Sequence, residues 1–113
     1  MHELSICGSI AEIVRRRAAD RPVATIHLRI GRLRQVVPDT LVYCWELVSA
    51  DTELDGAALE VEDVPARIVC QDCDATTLVG DLPLFMCHAC NGVNVSVVSG
   101  EEFLITALDL AEA

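Results

Sequence analysis

Apolar residues first recur at helical spacing. Leu4, Cys7, Ile10, Ala11, Val14 and Ala18 form one stripe, and Glu12, Arg15 and Arg16 fall largely outside it, which predicts an amphipathic helix over 4–18. Asp20-Arg21-Pro22 ends it, because proline cannot continue a helix and restrains the residue before it. The period then changes to two. Ala24, Ile26, Leu28 and Ile30 point one way and Thr25, His27 and Arg29 the other, giving a half-buried strand over 23–30 that Gly31 closes. A second helix is expected over 38–50, with Pro38 in its first turn and Leu41, Cys44, Trp45 and Val48 facing inward. Asp55-Gly56 marks a turn, and residues 57–64 alternate again as a strand.

After Pro65 the texture changes. Residues 66–100 hold two Cys-x-x-Cys pairs, many turn formers and only short apolar runs, too little to build an independent core without a metal or disulfides. Residues 103–110 then form a last strand, apolar on both faces except at Thr106 and Asp109. Such a strand needs cover on both sides and is expected to return to the first sheet, so the cysteine-rich segment is an insertion and not a tail. The expected fold is α+β: a small mixed sheet with two helices, formed by residues 1–65 plus 101–113, carrying an inserted β-rich zinc-knuckle segment over 66–100.

A chain of 113 residues fits this organisation, and its four aromatic residues, Tyr43, Trp45, Phe85 and Phe103, leave a core of mostly Val, Ile, Leu and Ala. No apolar run reaches the ~18–20 residues of a membrane span. Met1-His2-Glu3 opens without a basic, cleavable leader, so the expected compartment is the cytoplasm. All eight basic residues are arginines; seven lie in the first 34 positions against three carboxylates, and one faces fifteen carboxylates thereafter. A net charge of −10 argues against nucleic acid as a partner.

The six cysteines sharpen the picture. Cys70-Gln-Asp-Cys73 and Cys87-His-Ala-Cys90 are separated by thirteen residues. Two residues between thiolates let a tight turn aim both sulfurs at one ion, and two such knuckles supply four soft ligands for tetrahedral Zn²⁺. Four thiolates saturate the ion, so the site is structural. A rubredoxin-like iron centre and redox-active thiol pairs are the competing readings, and His88 inside the second knuckle is a bystander or a replacement ligand. Asn91-Gly92 after it tolerates a sharp turn. Cys7 and Cys44 stand apart on apolar helical faces and read as inert buried thiols.

A free amine beside histidine has its own chemistry. The Met1 amine, the His2 amide nitrogen and the His2 imidazole can close adjacent chelate rings, a nitrogen set suited to Ni(II) or Cu(II). By itself this pattern is equally an exposed histidine before a helix, with Glu3 favouring the positive helix end.

Taken together, Met1-His2-Glu3-Leu4-Ser5-Ile6-Cys7, the Gly31 region, Gly56-Ala57-x-Leu59, the two Cys-x-x-Cys pairs and Ser99-Gly100-Glu101-Glu102-Phe103 resemble the HypA/HybF family of hydrogenase nickel-insertion accessory proteins. The resemblance runs in order along essentially the whole chain. It implies a nickel metallochaperone with a nickel-binding domain over 1–65 plus 101–113, using His2 with Met1 and Glu3 nearby, and a structural zinc domain over 66–100 held by Cys70, Cys73, Cys87 and Cys90. It implies two partners: a nickel-delivering maturation GTPase and the large subunit of [NiFe]-hydrogenase. One departure is Cys87-His88-Ala89-Cys90, where Pro often follows the first cysteine of the pair; this touches knuckle stiffness more than ligation.

The remaining residues constrain function further. His27 reads as surface placement, with a second nickel ligand or a pH-sensitive contact as alternatives. The Arg15–Arg17 run reads as a solvated helix face, with docking of an acidic partner as the alternative. There is no Walker-type phosphate loop, so nucleotide chemistry belongs to a partner. No nucleophile–base–orienter set is visible, which argues against an enzyme. The alternative to a nickel carrier is a zinc-ribbon protein-interaction module in which Met1–Glu3 has no metal chemistry.

Overall fold

The computed structural model describes residues 2–82 and 84–112. Helix α1 spans His2–Ala18, strand β1 Val23–Gly31, a single 3-10 turn Arg32–Arg34, and helix α2 Pro38–Ser49. Strands follow at Ala58–Val64 (β2), Arg67–Cys70 (β3), Thr76–Leu78 (β4), Val95–Ser99 (β5) and Phe103–Leu110 (β6). The α+β expectation is borne out, with two helices and two three-stranded sheets ordered β2-β1-β6 and β4-β3-β5. No helix among the described residues is long and apolar enough to cross a membrane.

The chain divides into two compact units: Met1–Arg29 with Val36–Glu62 and Leu104–Ala113, and Ile30–Gln35 with Asp63–Phe103. In the first, α1 buries Glu3, Cys7, Ile10, Ala11, Val14 and Ala18. The phase differs from the expected stripe at its start, for Leu4 is exposed and Glu3 is buried instead. The cause is a hydrogen bond: the Val37 backbone N–H, at the N-cap of α2, donates to the Glu3 carboxylate over 3.4 Å. Helix α2 turns Leu41, Cys44 and Trp45 inward as expected, but Ser49, not Val48, completes the buried face, its hydroxyl donating to the Trp45 carbonyl. The Trp45 indole N–H donates to the Ala57 carbonyl, which satisfies the polar edge of the largest buried side chain.

Strand β1 is the centre of its sheet. The ion pairs His27–Glu60 and Arg29–Glu62 advance together along β1 and β2, the register of a parallel neighbour reached through the crossover helix α2. On the other side, the N–H of Ala111 donates to Pro22 and that of Gly31 to Glu102, so β6 runs antiparallel to β1. The sheet is therefore mixed. Strand β6 does return to it, but as an outer strand with Leu104 and Leu110 50 % and 41 % exposed, so the expected cover on both faces is not met.

In the second unit, β3 pairs antiparallel with β4 and β5 around a small core of Ala66, Ile68 and Val79, against which Leu33, Val95 and Val97 pack. A Cβ on Gly31 would lie 1.9 Å from the Gly100 carbonyl oxygen, and one on Gly100 2.7 Å from Ala66 Cα. Gly100 also has φ of +109°, so both close approach and backbone conformation require glycine there.

Candidate metal centres

The two knuckles share one backbone pattern. Cys70 N–H donates to Ala75 O and receives Asp74 N–H at its own carbonyl; Cys87 does the same with Gly92 O and Asn91 N–H. Each knuckle closes on a left-handed residue just after its second cysteine, Asp74 at φ 63° and Asn91 at φ 59°. Asn91 thus supplies the turn conformation expected of Asn91-Gly92. Gly92 serves by its size, since a Cβ there would meet Cys90 Sγ at 3.1 Å. The first knuckle lies in the β3–β4 turn and the second shortly before β5, so the pairing Cys70↔Val95 brings them together.

The four sulfurs lie within 4.8 Å of one another. Cys70 and Cys90 Sγ are 3.6 Å apart and Cys73 and Cys87 Sγ 3.5 Å, so the close contacts run across the knuckles. Around an ion with Zn–S near ~2.3 Å, tetrahedral sulfurs stand about 3.8 Å apart. The donor set is therefore gathered at the scale a tetrathiolate ion needs. In each knuckle the first cysteine is buried and the second exposed.

The electrostatics point the same way. Hydrogen bonds from the Cys90 and Ala89 backbones outweigh desolvation and hold the Cys87 thiol down to about 6. At Cys73 the Ala75 backbone acts downward, but proton sharing with Cys87, desolvation, and Cys70 and Cys90 together push it up to about 12. Without a cation Cys87 is thus favoured as thiolate over Cys73; a divalent ion is what holds four sulfur anions together.

His88 points away from this sphere. Thr77 Oγ1 accepts the His88 backbone N–H over 3.1 Å and lies 2.8 Å from His88 Nδ1. An oxygen already accepting one N–H is best placed to donate its own proton to Nδ1. Thr77 was not singled out by the sequence, because only the β3–β4 pairing carries it to the second knuckle.

The N-terminal site residues are placed as follows. His2 is the first residue of α1, its side chain 52 % exposed and its Nε2 3.7 Å from Glu3 Oε2. The Glu3 carboxyl is held below the usual range by its own backbone N–H first, and also by that of Val37. Met1 lies outside the described residues. His27 is on the outward side of β1 between Glu60 and Asp109. Cys7 and Cys44 are buried; burial first, then Cys44 and Glu3, pushes the Cys7 thiol up to about 11, and it lies 3.5 Å from the Leu41 carbonyl.

Comparison with known proteins bears on both centres. A family model described as hydrogenase/urease nickel incorporation, metallochaperone, HypA, matches residues 1–110. The hydrogenase maturation factor HypA of Roseiflexus sp. (strain RS-1) is 40 % identical over 112 residues, covering 96 % of this chain and 91 % of the relative. That of Geotalea uraniireducens (strain Rf4) is 42 % identical over 110 residues, covering 97 % and 99 %. In fold, the chain is similar to the solution structure of the Ni metallochaperone HypA from Helicobacter pylori, with a TM-score of 0.66, 21 % identity and 97 % of each chain covered. A second HypA solution structure gives a TM-score of 0.69 at 21 % identity, covering 98 % and 97 %. With the match extending from the first residue through both knuckles to the last strand, the chain belongs to the HypA family of nickel-incorporation metallochaperones.

Proposed function

We propose that this chain carries Ni(II) at its N-terminus for hydrogenase maturation and uses Cys70, Cys73, Cys87 and Cys90 to hold a structural Zn²⁺. The observation that carries the reading is the position of His2: the exposed first residue of α1, beside the Glu3 carboxylate, in a chain matched by the family model from residue 1. The first turn of a helix leaves its N–H groups without intrahelical acceptors. The His2 amide can therefore lose its proton to a metal without breaking the helical ladder. With the Met1 amine and the His2 imidazole it completes a nitrogen set that suits square-planar Ni(II). Glu3, anchored through Val37, sets the carboxylate beside that imidazole.

Nickel is cargo and zinc is resident. The nickel-binding part is assigned to residues 1–65 plus 101–113 and the zinc-binding part to 66–100. The site has no ligand in common with the sulfur centre, so loading and release leave the zinc-stapled unit intact. The partners are machinery of hydrogenase maturation, specifically a nickel-delivering GTPase and the large subunit of [NiFe]-hydrogenase. The chain works in the cytoplasm as a carrier and performs no catalysis of its own.

Nickel titration of the zinc-loaded protein tests this. Acetylation of the Met1 amine, extension before Met1, or His2→Ala is expected to abolish nickel binding and leave zinc content and helicity unchanged. Undiminished nickel affinity in all three would return the chain to a zinc-ribbon interaction module.

A further inference from the structure

The sheet β2-β1-β6 has two outer strands of opposite character. Strand β2 carries Glu60, Glu62 and Asp63, the charges that keep an exposed edge from pairing with another chain. Strand β6 reads Phe-Leu-Ile-Thr-Ala-Leu-Asp-Leu over eight residues. Its single charge, Asp109, is engaged with His27. Leu104, Thr106, Ala107 and Leu110 are exposed, and among the described residues no strand pairs with its outer side. A long apolar strand with its backbone donors and acceptors open is a template for strand addition.

Basic side chains border the same place. Arg17 and Arg21 line a surface depression of about 240 Å³ together with residues 105–108 and Leu110 of β6. An arginine in the last turn of a helix complements its dipole, which accounts for the position of Arg17 on α1, while Arg21 lies just past the helix end. It does not account for their partners. Arg15, Arg16, Arg29 and Arg32 each meet a carboxylate: Glu53, Glu12, Glu62 and Asp63. Among the described residues neither Arg17 nor Arg21 meets one, and Arg21 gives its Nε–H only to the Ala18 carbonyl. Of the eight arginines, Arg17, Arg21, Arg34 and Arg67 meet no carboxylate among the described residues; Arg34 donates to the Glu101 carbonyl, and Arg17 and Arg21 are the two beside the apolar strand β6.

We propose that the outer edge of β6, with Arg17 and Arg21, receives an extended segment of a partner protein in which apolar and carboxylate side chains alternate. The segment pairs its backbone with β6. Its carboxylates meet the two guanidinium groups, and its apolar side chains cover Leu108 and Leu110. No metal takes part, so the surface stands independently of the nickel reading.

The probe is a fluorescently labelled, end-blocked octapeptide alternating valine and glutamate, titrated into the full-length zinc-loaded protein and followed by anisotropy. Saturable binding is expected, with protection of β6 amides from hydrogen exchange. Arg17→Glu combined with Arg21→Gln should weaken it by about tenfold, since two exposed charge pairs are lost and one is reversed. A valine–lysine peptide should not bind, nor should a valine–glutamate peptide N-methylated at alternate residues. The nickel titration of the double variant should match that of the parent, which separates this surface from the cargo site. Equal binding of the glutamate and lysine peptides overturns the proposal, as does indifference to N-methylation. So does a dimer of the parent that the double variant disperses, for then a second copy occupies the edge. Should the double variant lose the emission of buried Trp45, the methylated and lysine peptides still decide the matter on the parent chain.

Discussion

The His27 imidazole stands 2.8 Å from Asp109 Oδ2 through Nε2 and 3.3 Å from Glu60 Oε2 through Nδ1. One ring on the centre strand β1 thereby ties β2 and β6 from the outward side of the sheet, beside the Arg29–Glu62 pair. Both nitrogens can donate only in the imidazolium, so the clamp is complete only when His27 is charged. The hydrogen bond to Asp109 first, then the charges of Asp109 and Glu60, raises its pKa above the usual 6.5. A raised folded-state pKa gives stability that is fully present below 6.5 and disappears as pH climbs through the raised value. His27→Gln keeps at most part of the clamp and cannot titrate. The melting temperature of the parent is expected to exceed that of His27→Gln at pH 6, with the gap closing by pH 9. A gap that widens with pH would show that the ring is held neutral.

Removing zinc should act on one unit. The core of Ala66, Ile68 and Val79 is too small to order β3, β4 and β5 alone, whereas structural zinc in simple peptides contributes ~10–16 kcal/mol to folding at neutral pH. Chelation is expected to collapse amide protection in residues 67–70, 76–78 and 95–99 while the helical circular dichroism of α1 and α2 persists. Acid should do the same, because each ligand must be a thiolate. For metal-free protein, the lowered Cys87 value contributes stability above 9.0 that is lost as pH falls through about 6. Zinc occupancy measured with a competing chromophoric chelator is expected to fall progressively as pH is lowered.

Three glycines separate space from backbone conformation. Gly8 lies in α1 with nothing within 4 Å of the point a Cβ would occupy, so Gly8→Ala should stabilise by ~0.5–1 kcal/mol through helix propensity. Gly31→Ala puts a methyl 1.9 Å from the Gly100 oxygen, a backbone atom that cannot swing aside. Overpacking of this kind costs about 1–3 kcal/mol or more. Gly100→Ala meets Ala66 and must also hold φ at +109°, and is expected to cost at least as much as Gly31→Ala. Urea denaturation midpoints of the zinc-loaded proteins should rank Gly8→Ala above parent, and parent above the other two.

The elements with a strong local period were legible in the sequence because their cause is local. Residues 103–110 are β6 to the residue, and β1, β2 and α2 shift by one residue at an end. The four-cysteine cluster was legible for the same reason, since a two-residue gap itself dictates a knuckle. What was not legible depends on partners distant in sequence. Leu4 and Glu3 exchange places because of Val37, thirty-four positions on from Glu3. Residues Ile30–Gln35 group with Asp63–Phe103 because Gly31 and Leu33 donate to Glu102 and Gly100, a pairing no period announces. The exposure of β6 was missed because an apolar strand at an edge reads like one in a core.

Glu3 joins the two helix starts beside the proposed nickel site. Its carboxylate accepts the Val37 N–H at the head of α2 and stands 3.7 Å from His2 Nε2. Glu3→Gln preserves size and leaves an amide oxygen to accept from Val37, but removes the charge that favours a helix N-terminus and a bound cation. Because the carboxyl pKa is lowered from 4.5, the stability it lends is present above 4.5 and fades as pH falls through the lowered value. Glu3→Gln should therefore melt below the parent at pH 7 and converge with it in acid. If Glu3 also sets the electrostatics of His2, nickel affinity at pH 7 should drop while zinc affinity is unchanged. Calorimetric titration with Ni(II) distinguishes the two roles: a lower melting temperature with undiminished nickel affinity would confine Glu3 to joining the helices.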